Sequence, residues 1–114
     1  MMDCIFCKII KGEIPSSKIY EDEDVLAFHD INKAAPTHFL VIPKKHIQNA
    51  NEINSENSKI IAHIFEVISK ITKDLGISES GYRIVNNCGK DGGQTVNHLH
   101  FHVLGQRELK WPPG

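Results

Sequence analysis

The chain has 114 residues and 40% hydrophobic content, enough for one self-sufficient core and too little for two, so a single domain over residues 1–114 is expected. Lys and Arg total 13 against 14 for Asp and Glu, and no block of like charge forms. That balance argues against a nucleic-acid arm, a sequence-specific DNA reader or a membrane-binding patch.

The opening MMDCIFCKII has no basic region followed by a long apolar run. The longest apolar stretches, such as FLVI at 39–42, fall far short of the roughly 20 residues that span a bilayer, so a soluble, unprocessed, cytoplasmic chain is expected. Cys4, Cys7 and Cys88 are too few, and odd in number, for a disulfide framework; cysteine here points to metal or packing in a reducing compartment. Asp3 can cap a short helix over CIFCKIIK that Gly12 stops, and Pro15 then forces an extended exit. KIYE (18–21) and VLAFHD (25–30), joined by the acidic turn DED, read as a hairpin, and HFLVIP (38–43) reads as a buried central strand ended by Pro43. From Ser55 to Leu75, Ile60, Ile61, Ile64, Phe65, Ile68, Ile71 and Leu75 recur at steps of three and four, which predicts an amphipathic helix closed by Gly76. GYRIVNN (81–87) and NHLHFHVLG (97–105) read as strands flanking the loop CGKDGGQTV, and the tail ends in WPPG.

Hairpin-linked strands with one long helix inserted predict an α+β domain: a five-stranded antiparallel sheet, one long and one short helix, and helices covering one face. In the last strand Leu99, Phe101 and Val103 point to the helix-covered core, which puts His98, His100 and His102 on the opposite face.

Three readings of HLHFHVL stand side by side. Same-face neighbours lie about 6.6 Å apart, so His98 and His102, roughly 13 Å apart, cannot share an ion, although two of the three could bind zinc with ligands from elsewhere. The strand could simply face solvent. Alternatively it is catalytic, because DGGQT at 91–95 ends just before it: paired glycines admit backbone N–H groups to an anion, and Gln94 and Thr95 offer side-chain donors. A neutral imidazole can then attack phosphorus while a charged neighbour supports the oxyanion or protonates the leaving group.

HLHFHVL also matches the alternating signature of the histidine triad superfamily of nucleotide hydrolases and transferases. FHDI (28–31), APTHFLVIPKKHI (35–47), GYRIVNN, DGGQTV and the terminal WPPG resemble its Hint branch, so the likeness spans nearly the whole chain. The resemblance implies a homodimer with a continuous sheet that binds purine nucleoside monophosphates and hydrolyses nucleoside 5′-phosphoramidates to monophosphate and amine. It implies His100 as nucleophile, His102 as phosphate contact and proton donor to the amine, Thr95 near the scissile bond, and His38 holding the tautomer of His100 or relaying its proton. It further places Asp30 on the ribose hydroxyls, Phe28 and Ile31 around the base, and Asn87, Gly93, Gln94 and Thr95 around the phosphate; Cys88 is given no role.

The C-x-x-C pair resembles the zinc-binding microbial members, which implies a structural zinc at Cys4, Cys7, His46 and His98 and no organic cofactor. A nucleotidyl transferase or dinucleotide hydrolase, and a non-catalytic nucleotide-binding module, are the alternatives within this likeness. Trp111 and the WPPG tail are expected to lie across the dimer on the leaving-group side.

Overall fold

The computed structural model describes residues 4–114. Helix α1 (Ile5–Ile10) is followed by strands β1 (Lys18–Glu21), β2 (Val25–His29) and β3 (Thr37–Pro43). A 3₁₀ turn at Ala50–Glu52, helix α2 (Lys59–Asp74), β4 (Tyr82–Val85) and β5 (Phe101–Gly105) complete the chain. All strand pairs are antiparallel, as the hairpin connections predict, and the strand order is β1-β2-β3-β5-β4. Among the described residues no helix is long and apolar enough to cross a membrane.

The sheet divides its side chains by parity. Val25, Ala27, Phe39, Val41, Phe101 and Val103, with Leu99, pack with Ile64, Val67, Ile68 and Ile71 of α2. Leu26, Phe28, Leu40 and Ile42 point the other way and pack on Cys4, Phe6 and Ile9. The expectation of helices on one face only is therefore corrected: α1 covers part of the second face, because β2 and β3 are apolar at consecutive positions and need cover on both sides.

Two element boundaries move for local reasons. The Asp3 cap lies outside the described residues; the N-cap of α1 is Cys4, whose Sγ accepts from Cys7 N at 3.3 Å. Helix α2 starts at Lys59 rather than Ser55, since Asn54 and Asn57 bind nearby amides with their side chains: Asn54 N donates to Asn57 Oδ1 and Glu56 N to Asn54 Oδ1, both at 2.8 Å. Of the apolar helix positions, Phe65 and Leu75 remain partly exposed, and Phe65 meets Phe101 edge-on at 5.7 Å between centroids.

β5 is also shorter than expected. Ladder pairing with β3 stops at Val41–Phe101, and the next same-face partner of Leu99 would be Pro43, which has no N–H to give. Residues 98–100 are held by other bonds: Leu99 N donates to Ile47 O (2.6 Å), Asn86 Nδ2 to His100 O (2.9 Å), and His98 Nε2 to Pro43 O (2.8 Å).

The β1–β2 hairpin depends on Asp22. Its Oδ1 accepts from Asp24 N and Val25 N (2.8 Å each), and its Oδ2 accepts from Tyr20 Oη and His63 Nε2 (2.7 Å each). Burial alone would raise the Asp22 pKa, but these hydrogen bonds outweigh it and hold the carboxyl well below the ordinary aspartate range. The same contact, ahead of the opposing effect of burial, raises His63. A depressed aspartate stabilises above its unfolded pKa and loses that contribution as pH falls through its folded value; a raised histidine stabilises fully below its unfolded pKa and loses that as pH rises through its folded value. Stability from this pair is therefore greatest in mildly acidic solution. Asp22→Ala is expected to lower stability by about 1–2 kcal/mol near pH 6 and to flatten both limbs of the pH profile, read by urea denaturation; an unchanged profile would contradict this.

Candidate functional site

The second face of the sheet carries two neighbouring sites. The first is a cavity of about 490 Å³, within the usual range for a small-molecule pocket. Its walls include Phe28, Asp30, Ile31, His38, Thr95, His100 and His102, all expected from the sequence. Among the described residues, Asn87, Gly93 and Gln94 do not line it.

Gln94 is fully occupied elsewhere. Its Oε1 accepts from Gly89 N (2.8 Å), and its Nε2 donates to Gln48 O (2.8 Å) and Val96 O (2.9 Å). Gly93 N donates to Lys90 O at 3.0 Å. The expected cradle therefore narrows to Thr95, while Gln94 acts as a brace that fixes the shape of the loop before it. Gly92 is required by packing, since a Cβ there would lie 2.5 Å from Cys88 O.

The histidine protons can be assigned from their partners. His100 Nδ1–H donates to His98 O at 2.7 Å, which leaves Nε2 with a free lone pair. Ala34 N donates to His38 Nδ1 (3.0 Å), so neutral His38 carries its proton on Nε2 and donates it to His102 Nδ1 (2.9 Å). His102 then carries its own proton on Nε2. Burial keeps all three rings neutral at pH 7: it lowers His38 and His100, and, with the neighbouring His100 and His38, pushes His102 down to about 4.

These bonds correct one expectation. His38 does not hold His100; it bonds His102, and the carbonyl of His98 holds the tautomer of His100. The sheet register causes this, because Leu40 is paired with His102 and His38 lies one step further toward the β5 end. Asp30 sits beside the pair, with Oδ2 3.4 Å from His38 Nε2 and 4.0 Å from His102 Nδ1, and Oδ1 accepts from Asn32 N.

The second site gathers Cys4, Cys7, His46 and His98, whose ligand-type atoms all lie within 4.8 Å of one another. Cys4 Sγ is 3.3 Å from His98 Nδ1, Cys7 Sγ is 3.4 Å from His46 Nδ1 and 3.6 Å from His98 Nδ1, and the two Nδ1 atoms are 3.2 Å apart. His98 Nε2–H is committed to Pro43 O, so its Nδ1 offers a lone pair inward. Burial, then Cys4, pushes the Cys7 thiol up to about 11, a cost that a cation between the sulfurs would offset. These four residues form a cluster that could hold a metal ion.

Sequence reasoning missed several contributors. Ile5, Phe6 and Ile9 of α1 line the cavity, and Phe6 meets Phe28, His98 and His100 edge-on at 5.8, 5.8 and 5.1 Å. Asn86 fixes the backbone of His100. An asparagine doublet at a strand end before a glycine loop was its one available signal. Ser16 and His29 also line the cavity, and Ser16 Oγ and His29 Nδ1 are buried without a hydrogen-bond partner.

Residues 11–109 match the HIT domain family. A HIT-like protein of Synechococcus elongatus is 49% identical over 112 residues, covering 98% of this chain and 97% of that one. The solved HIT family hydrolase from Legionella pneumophila is 49% identical with a TM-score of 0.96, over 98% of this chain and 100% of that one. A histidine triad nucleotide-binding protein from Candida albicans is 37% identical with a TM-score of 0.85, over 96% and 83% respectively. With a family match over most of the chain, and relatives about half identical along 98% of it, the chain belongs to the HIT domain family.

Proposed function

We propose that the protein hydrolyses purine nucleoside 5′-phosphoramidates through a nucleotidyl intermediate on His100. The observation that carries this reading is the 2.7 Å bond from His100 Nδ1 to His98 O, which leaves a bare Nε2 on a buried neutral ring in a cavity wall. The hydrolase and nucleotide-binding relatives favour the same class of chemistry.

In the first half-reaction the Nε2 lone pair of His100 bonds to phosphorus and the P–N bond to the amine breaks. The anionic substrate brings one added proton onto the His38–His102 pair; His102 Nε2–H then protonates the leaving nitrogen, which returns the pair to neutrality, and the imidazolium charge that develops on His100 is held by the His98 carbonyl. Water then attacks phosphorus, its proton returns to His102, and the N–P bond breaks to release the monophosphate and neutral His100. Thr95 supplies a hydroxyl beside the scissile bond, Phe28 and Ile31 flank the base, and Asp30 retains acceptor positions for the ribose hydroxyls. His100→Ala is expected to lower turnover on the order of a thousandfold or more while monophosphate binding persists, and an alkaline quench of wild type should trap nucleotide on His100, located by mass spectrometry. Wild-type turnover by the variant would end this assignment.

The cluster at Cys4, Cys7, His46 and His98 suits zinc. Bonds of about 2.3 Å to sulfur and 2.0–2.1 Å to nitrogen set tetrahedral edges near 3.5 Å for S···N and 3.4 Å for N···N, close to the observed spacings. Such an ion would tie α1 to the segment that carries the nucleophile. Protein never exposed to chelator is expected to contain about one zinc per chain by elemental analysis; less than about a tenth would refute the site.

A homodimer in the cytoplasm completes the reading. The sheet has open edges at β1 and β4, Arg83 on β4 donates to Lys110 O (3.0 Å), and the adjoining Trp111 is 82% exposed. An exposed indole on a segment tethered to an open strand edge favours a sheet-extending interface. Sedimentation at micromolar concentration should show a dimer that Arg83→Ala with Trp111→Ala weakens, and a wild-type monomer would exclude it.

A further inference from the structure

The two sites share walls. His98 contributes its Nδ1 to the metal-type cluster and its carbonyl to His100 Nδ1. Phe6 lies between Cys4 and Cys7 in sequence, is almost fully buried, and stacks edge-on against both His98 and His100 while lining the cavity. The loop carrying His46 is fastened to the same region: Ile47 O accepts from Leu99 N, and Gln48 O accepts from Gln94 Nε2, the brace before Thr95.

A cation at the cluster would draw Cys4, Cys7, His46 and His98 to fixed positions. Each of those positions sets something in the cavity: the Phe6 ring, the carbonyl that orients His100, and the loop that presents Thr95. A nucleotide packed against Phe6 and His100 restrains the same groups from the other side. Ordering by one ligand therefore lowers the ordering cost of the other.

We propose that metal and nucleotide bind this protein cooperatively, coupled through Phe6 and the His98 carbonyl. This rests on the zinc and nucleotide assignments above and adds that the two sites are not independent. Linkage requires the effect to be reciprocal: the factor by which nucleotide raises zinc affinity equals the factor by which zinc raises nucleotide affinity. It also makes Phe6 a positioning residue whose role is visible in that factor rather than in either affinity alone.

The test uses the full chain, zinc and AMP. Zinc occupancy is titrated against a chelator buffer that fixes free zinc, with and without saturating AMP, and AMP affinity is measured by calorimetry on zinc-loaded and zinc-stripped protein. Both arms are expected to give the same factor, about fivefold or more, and Phe6→Leu and Phe6→Ala are expected to bring it toward one. If stripped protein loses its fold by circular dichroism, the zinc arm decides, because linkage makes that factor sufficient. Zinc and AMP that both bind, each indifferent to the other, would overturn the coupling while leaving both site assignments standing. Failure of AMP or of zinc to bind at all would remove the corresponding assignment and the coupling with it. Retention of the full factor by both Phe6 variants would overturn the route through the ring.

Discussion

The structure turns on the placement of His98, a fully buried polar ring. Burying an imidazole is tolerable only if each nitrogen finds a partner, since an unpaired buried polar atom costs about 1–3 kcal/mol. Nε2 donates to Pro43 O, which fixes the tautomer and turns the Nδ1 lone pair toward Cys4, Cys7 and His46. With the ring locked, the backbone of the same residue is locked too, and its carbonyl is the one that sets which nitrogen of His100 is free. One residue thus settles the geometry of both sites.

Pro43 makes this arrangement possible by ending a ladder. Had β3 continued with an ordinary residue, residues 98–100 would have zipped into the sheet, and Pro43 O would have been available for a ladder bond instead of an imidazole. The missing N–H frees the segment, and Ile47, Asn86 and Pro43 supply its hydrogen bonds from three different directions. The rings of His98 and His100 both meet Phe6 edge-on, and the backbone groups of this segment are satisfied by site-building contacts.

Much of this was legible in the residues. Apolar runs bounded by turn residues located β2 and β3, period-two alternation in the last strand put Leu99, Phe101 and Val103 against the α2 side, and the three- and four-residue rhythm of Ile64, Ile68 and Ile71 located α2. The chain's likeness to a known family points to Cys4, Cys7, His46 and His98 as one group, although Cys4 and His98 lie 94 residues apart. What was not legible depended on choices between partners of equal chemical fitness. Gln94 has donors suited to an anion, but Gln48 O, Val96 O and Gly89 N are nearer. Asn54 and Asn57 could have lain within a helix, but their side chains capture backbone amides first. Leu26, Phe28, Leu40 and Ile42 require cover on the second face, but no local rule says that α1 is the segment that supplies it.

Two clusters of ligand-type atoms lie on this face, Cys4–Cys7–His46–His98 and Asp30–His38–His102, and counting donors alone would treat both as metal sites. Proton placement separates them. At His98 the outward nitrogen gives its proton to a carbonyl, so the inward nitrogen is free to ligate. At His38 the backbone N–H of Ala34 occupies Nδ1 as an acceptor, so the proton of the neutral ring must sit on Nε2, the atom facing Asp30 and His102. A protonated nitrogen cannot bind a cation. The second cluster is instead a proton-holding chain that presents His102 with its hydrogen on Nε2, and a single backbone amide at Ala34 makes that difference.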